Sequence, residues 1–266
     1  MPEKFSQVPE ELWALVAPLL PPEPPKPYGG RPRVPDKMIL AGVLYKLRTG
    51  CQWKALPRQF GSGSTCHRRF SEWVESGLFP EIMGAVLKFY ERKCGIAWEW
   101  TSLDGVIVKA PKGGEHTGPN PTDRAKSGTK RHVLTDERGV PLSVTISGAN
   151  VPDMKMALPT LDAAAEYVPG RRFRPLNLCL DKGYDYEVVD KGVKRRRIVA
   201  HTRRRGEAPM IGCVRGKPRR WVVERTNIWH NRFRGLLIRW ERKASHYLAF
   251  CLLASALIAL NVAAWA

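Results

Sequence analysis

Acidic side chains are in short supply. The chain has 25 Asp+Glu against 44 Lys+Arg, a formal net charge of +19 over 266 residues. So lopsided a balance excludes an ordinary mixed-charge exterior and implies a polyanionic partner. The shortage is uneven. Residues 1–100 hold 14 basic and 10 acidic side chains, and residues 101–266 hold 30 and 15. The six cysteines (Cys51, Cys66, Cys94, Cys179, Cys213, Cys251) form no Cys-x-x-Cys pair and no Cys/His zinc spacing. Neither a structural zinc nor a disulfide framework is therefore expected. No secretory leader and no internal repeat is legible, so a cytoplasmic protein with reduced thiols is the default expectation. Only Ala244–Ala266 is a long stretch without Asp, Glu, Lys or Arg, and Arg239, Arg242 and Lys243 precede it. Its length would suit a membrane anchor. His246, Ser255, Asn261 and the alanine content favour a buried final helix and no membrane partner.

What is present divides into two regions, 1–97 and 98–266. In the first, residues 7–19 read as a short amphipathic helix, and Pro21–Pro35 as an extended loop. Residues 37–49 carry Ile39, Leu40, Val43, Leu44 and Leu47 at helical spacing. A short helix over 55–60, a glycine turn at 61–63 and a helix from Thr65 to Ser76, capped by Ser64, complete a helix-turn-helix-like outline. Thr65, His67, Arg68 and Arg69 would then open a recognition helix, with a purely structural bundle as the equal alternative. Phe70 and Trp73 read as core.

The second region alternates in the strand manner over 101–110, and again over 130–135 and 140–147 around the turn 136–139. Helix 154–167, strand 175–180, a short helix at 184–190, strand 198–201 and one long helix over 219–242 follow. This order indicates an α/β domain with a mixed sheet. The core stripe of the last helix is Val222, Thr226, Trp229, Phe233, Leu236 and Trp240, and Glu224 points away from it.

Three acids stand out by position: Asp104 in the first strand, Asp181 at the end of an apolar strand, and Glu224 on the long helix. Cutting a phosphodiester needs metal ions to stabilise the entering and leaving oxygens, and carboxylates from separate elements can hold them. Each acid taken singly reads equally as a local salt-bridge partner. Around them lie Gly-Arg-Pro-Arg-Val-Pro…Arg-Thr-Gly-Cys-Gln-Trp (30–53), Ser-Thr-Cys-His-Arg-Arg-Phe (64–70), Asp-Lys-Gly-Tyr-Asp (181–185) and Arg-Trp-Val-Val-Glu-Arg-Thr (220–226). In these motifs, and in their order, the chain resembles bacterial insertion-sequence transposases of the DDE class, most nearly the insertion-sequence-five family.

The resemblance implies an RNase H-like catalytic core behind the helical region. It implies Asp104, Asp181 and Glu224 as catalytic metal ligands for two Mg²⁺ or Mn²⁺ ions, cleavage at element ends and strand transfer into target DNA. Double-stranded DNA, at the terminal repeats and at the target, is the implied partner, with a homodimer on DNA. In the related Tyr-x2-Arg-x3-Glu-x6-Lys signature, Arg220 takes the Arg position. Lys217 stands for Tyr and Asn231 for Lys, with Arg232 beside it. Arg225, Asn231 and Arg232 join Arg220 as expected DNA contacts.

Lys191–Arg220 holds 12 basic residues and one acid, Glu207, so Arg203, Arg204 and Arg205 are expected on phosphates. Lys130 and His132, near Asp104, are expected to contact DNA, His132 as a hydrogen bonder rather than a metal ligand. Asp153 reads first as a helix N-cap and second as support for the site. Two other functions fit the same residues: a DNA-binding regulator without chemistry, and an RNase H-like nuclease without strand transfer.

Overall fold

The computed structural model describes residues 7–23, 32–168, 175–202 and 221–265. Helices come first. Pro9 precedes α1 (Glu10–Val16) and Pro35 precedes α2 (Asp36–Thr49), each with acidic residues in its first turn, where the helix dipole favours them. The apolar face of α2 is buried, and Gly50 ends it in the left-handed conformation at φ 72°. Two 3-10 turns, Trp53–Ala55 and Arg58–Phe60, stand where one short helix was expected. Then comes α3 (Gly63–Glu75), capped by Ser62, whose hydroxyl accepts from Thr65 N at 3.1 Å. The cap lies two residues ahead of Ser64 because a side chain at Gly63 would run into the Trp53 carbonyl, so the glycine is drawn into the first turn. Gly77, at φ 77°, breaks α3 from α4 (Leu78–Cys94).

Among the described residues the sheet has six strands. β1 (Trp100–Lys109) is central; β3 (Ser127–Thr135) lies antiparallel to it, and β4 (Pro141–Gly148) antiparallel to β3. On the other side β5 (Asn177–Leu180) is parallel to β1 and β6 (Val199–Thr202) parallel to β5. The short β2 (Gly118–Pro119) pairs with the start of β3. The β3–β4 turn forms as expected. Asp136 Oδ1 accepts from Arg138 N at 3.0 Å and Val140 N at 2.8 Å, and Gly139 takes φ 84°. Helix α5 (Met154–Tyr167) covers β4 and β3, α6 (Glu187–Arg195) connects β5 to β6, and α7 (Trp221–Asn231) packs on β1 and β3. This is the mixed α/β core with a helical N-terminal region.

The long helix expected over 219–242 ends at Asn231 within the described residues. A 3-10 turn at Arg234–Leu236 follows, and Ile238 then bridges to Lys109 as an extra extended segment. Arg239 explains the break. It is buried, and its guanidinium donates to the carbonyls of Glu115, His116, Glu241 and Arg242, a job no helical backbone would leave it free to do. Trp240 is consequently 46% exposed rather than part of a core stripe, and Trp229 is only half-buried.

The final helix, α8 (Ala244–Trp265), is long and apolar enough to cross a membrane, yet 72% of its apolar window is buried inside the fold. It packs against α4 and β4 and touches α1 and α3. One continuous apolar core therefore runs from Leu12 through Phe250 and Leu142, joining the N-terminal helices to the sheet. Each fully buried Leu, Ile or Phe in it contributes roughly 1.5–3 kcal/mol.

Candidate active site

β1 and β5 run in parallel with Trp100 opposite Asn177, Thr101 opposite Leu178 and Ser102 opposite Cys179. Pairing between the two strands ends there; Asp104 follows two residues further along β1, and Asp181 is the first residue past β5. Neighbouring strands lie ~4.8 Å apart, and each acid follows the last paired residue of its strand by two positions. Both are half-buried. Asp181 is fixed by the turn it begins: its Oδ1 accepts from Gly183 N at 2.6 Å and caps the 3-10 turn Lys182–Tyr184. A Cβ at Gly183 would stand 2.8 Å from that same oxygen, which explains the glycine there.

A third carboxylate adjoins them. Asp153 lies at the start of α5, but its side chain makes no capping hydrogen bond, so the N-cap reading is overturned. Its Oδ1 is instead 3.0 Å from Lys130 Nζ and 3.8 Å from His132 Nδ1. A Cβ at Gly105, next to Asp104, would be 2.9 Å from both Asp153 Oδ1 and His132 Nδ1, and a Cβ at Gly183 would be 3.8 Å from Asp153 Oδ2. Asp153 thus sits between the glycines that neighbour the two strand acids. Beneath it, Tyr184 is fully buried. Burial first, and then the charges of Asp153, Asp104 and Asp181, push its phenol well above the usual range. Tyr184 therefore reports that all three carboxylates share its surroundings.

Glu224 is exposed on the first turn of α7, the helix that flanks β1 and β3. Among the described residues, no three His, Cys, Asp or Glu side chains stand close enough together to hold a metal ion by themselves. The donor chemistry is nonetheless selective. The acids that meet around Tyr184 offer hard oxygens and no thiolate, a set suited to Mg²⁺ or Mn²⁺.

Residues 8–83 match the family described as "Putative transposase of IS4/5 family", and residues 100–261 match the "Transposase DDE domain". The second match covers more than half of the chain and includes all three expected acids. The chain belongs to the DDE transposase family. It is 42% identical over 168 residues to the "Putative transposase for insertion sequence element IS402" of Burkholderia cepacia, covering 60% of this chain and 77% of that one. It is also 34% identical over 118 residues to the "Insertion element IS402 uncharacterized 16.2 kDa protein" of the same organism, covering 42% and 79%. A shorter similarity, 28% over 79 residues, links it to "Uncharacterized protein y4sN" of Sinorhizobium fredii, covering 30% and 58%.

Within this DDE transposase the expected DNA contacts separate by burial. His67 and Arg68 are exposed on α3 and Thr65 is half-exposed. Arg69 is not available: its side chain is 8% exposed and ion-paired to Asp36 at 2.6 Å and Glu72 at 3.4 Å. The charge pattern of α3 alone could not separate Arg68 from Arg69; the helix's rotation on its core does. Lys130 and His132 are likewise buried. Lys130 Nζ donates to Val151 O at 2.8 Å, and His132 Nε2 lies 2.8 Å from Ser147 Oγ. Burial, then the Lys130 charge, holds His132 down to about 3, so it is neutral. The partners of both are internal among the described residues. Arg225 is half-buried, stacked between Trp221 and Trp229 with its carbon 4.7 Å from each ring, and it donates to Arg138 O at 2.6 Å. Arg232 and Asn231 are exposed, and Asn231 Oδ1 accepts from Arg131 at 3.3 Å. Arg203, Arg204, Arg205 and Arg220 lie outside the described residues.

Proposed function

We propose that this transposase cuts DNA at the ends of an insertion element and joins the freed 3′-hydroxyls to target DNA, using Asp104, Asp181 and Glu224 as its metal-holding acids. The observation that supports the reading is the parallel pairing of β1 with β5, the last paired residue of each followed two positions on by one of the two acids, in a DDE-family protein. Asp104 would bind from within β1, Asp181 from just past the end of β5, and Glu224 from the flanking helix. Two bound Mg²⁺ or Mn²⁺ ions supply positive charge for the entering and leaving oxygens. The protein's own part is orientation. Asp181 is held in place by the turn, its Oδ1 accepting from Gly183 N at 2.6 Å. Water is the nucleophile for cleavage, and the bridging oxygen leaves as the 3′-hydroxyl. That hydroxyl then attacks a target phosphodiester, gives up its proton and displaces a second 3′-hydroxyl.

The helical region 1–97 is assigned to DNA recognition through Thr65, His67 and Arg68, and region 98–266 to catalysis. Arg203–Arg205, Arg220 and Arg232 are assigned to phosphates. Synapsis of two ends calls for a homodimer on DNA, acting in the cytoplasm. Incubation with DNA bearing the element's ends and Mg²⁺ tests the reading: nicks with free 3′-hydroxyls and joined products are expected. Asp104→Asn, Asp181→Asn and Glu224→Gln should each lose ~10³-fold or more of cleavage while retarding DNA normally. Nicks without joining would make the protein a nuclease, and intact retarded DNA a binder. Full cleavage by any one variant removes that residue from the site.

A further inference from the structure

Two buried polar groups beside the strand acids are not used by the proposed chemistry. Lys130 is 8% exposed and His132 is fully buried, and both are turned toward Asp153. Burying a lysine costs free energy unless it is paired. Here its ammonium is satisfied by Val151 O at 2.8 Å and Asp153 Oδ1 at 3.0 Å. His132 is braced on its far side by Ser147 Oγ at 2.8 Å. The two carboxylate oxygens of Asp153 consequently differ. Oδ1 faces Lys130, His132 and the bare Cα of Gly105, whereas Oδ2 faces Gly183 in the turn that locks Asp181. Between them, the buried Tyr184 hydroxyl has no hydrogen-bond partner among the described residues, so this floor is packed around the acids rather than bonded to them.

We propose that Asp153 is a positioning residue for the Asp104–Asp181 pair: its ion pair with Lys130 holds one of its oxygens so that the other faces the Asp181 turn, and its charge raises the affinity of the site for a divalent cation. The inference rests on the two-acid site proposed above. Removing Lys130 would free the carboxylate to turn, and removing the carboxylate would strip a negative charge from beside the pair without touching either acid. Gly105 and Gly183 are what allow the close approach, since any side chain at Gly105 would collide with Asp153 and His132.

The test uses the full chain without DNA and follows Mn²⁺ binding by electron paramagnetic resonance. Asp153→Asn should weaken Mn²⁺ binding about tenfold, the lower end of what supporting partners of metal ligands contribute. The Mn²⁺ concentration for half-maximal cleavage should rise by the same factor, and the rate at saturating Mn²⁺ should fall by less. Gly105→Ala should shift both in the same direction. If Asp153→Asn fails to fold because Lys130 is stranded, Lys130→Met/Asp153→Asn removes the buried pair together and should still bind Mn²⁺ weakly. Wild-type Mn²⁺ affinity in a folded Asp153→Asn or double variant would overturn the inference and leave Asp153 a purely structural ion-pair partner. Asp181→Asn separates the two readings. If it keeps both Mn²⁺ binding and cleavage, the underlying site is wrong. If it loses both while Asp153→Asn is unaffected, only the role of Asp153 falls.

Discussion

Two histidines are enclosed so completely that protonation has no room. His132 is held down to about 3 by burial and then by Lys130, and His230 lies well below its usual range for the same first reason, with Arg131 adding to it. Unfolded, each would titrate near 6.5. As pH drops below that value, the unfolded chain takes up protons that the native state refuses. Their contribution to stability is therefore complete above pH 6.5 and is lost on the way down, toward about 3 for His132. The expected slope is on the order of 1 kcal/mol per pH unit for each histidine. Urea unfolding in metal-free buffer between pH 7 and 5.5, above the range where carboxylates titrate, should show this fall. A flat profile would mean that these rings reach water. Nothing in the local sequence around His132 announces its burial; it lies in a strand whose two faces are both covered.

At the scale of the element, α3 shows how rotation on a core sorts neighbouring residues into different jobs. Arg68, with its side chain 61% exposed, pairs with Glu72 in a helix-surface ion pair worth little. Arg69, one step round, is buried between Asp36 and Glu72. Arg68→Gln should leave the melting temperature nearly unchanged and weaken binding to element-end DNA several-fold. Arg69→Gln should lower the melting temperature more than Arg68→Gln, because a buried guanidinium with two acidic partners is lost. Thermal melts beside mobility-shift titrations distinguish the two; a stable Arg69→Gln that binds DNA weakly would return Arg69 to the interface. The apolar spacing of α2 and the core positions Phe70 and Trp73 of α3 were legible in the sequence; the burial of Cys66 was not. The end of α7 was not: its helical pattern runs on through Phe233 and Leu236, and only the carbonyls waiting around Arg239 decide that the chain leaves the helix.

For the whole molecule, charge and core act on different properties. A net charge of +19 supplies the cations for phosphate contacts, and the more of them that engage, the more steeply DNA affinity should fall with salt. Neutralising Arg203, Arg204 and Arg205 should weaken binding to all sequences alike and reduce the slope of log affinity against log salt by up to about 3. An unchanged slope in a salt titration would take those arginines off the phosphates. The core, by contrast, ties the regions together through α8, which packs on α4, on β4 and on the N-terminal helices. Deleting 244–266 should therefore abolish the cooperative unfolding of the whole chain rather than release an intact N-terminal bundle, as circular dichroism melts would register. A surviving sharp transition would show that the helical region folds alone.

The main strands of the second region, the basic excess and the three acids within family motifs follow from the sequence by itself, because periodicity, charge and local motifs are properties of neighbours along the chain, whereas the helix Leu78–Cys94 was not read from it. Which basic side chains face outward, where the last long helix stops, and that Asp153 lies beside Asp104 and Asp181 instead of capping a helix were decided only in three dimensions. Those outcomes depend on groups dozens of residues apart competing for the same buried space, and a one-dimensional pattern carries no record of that competition.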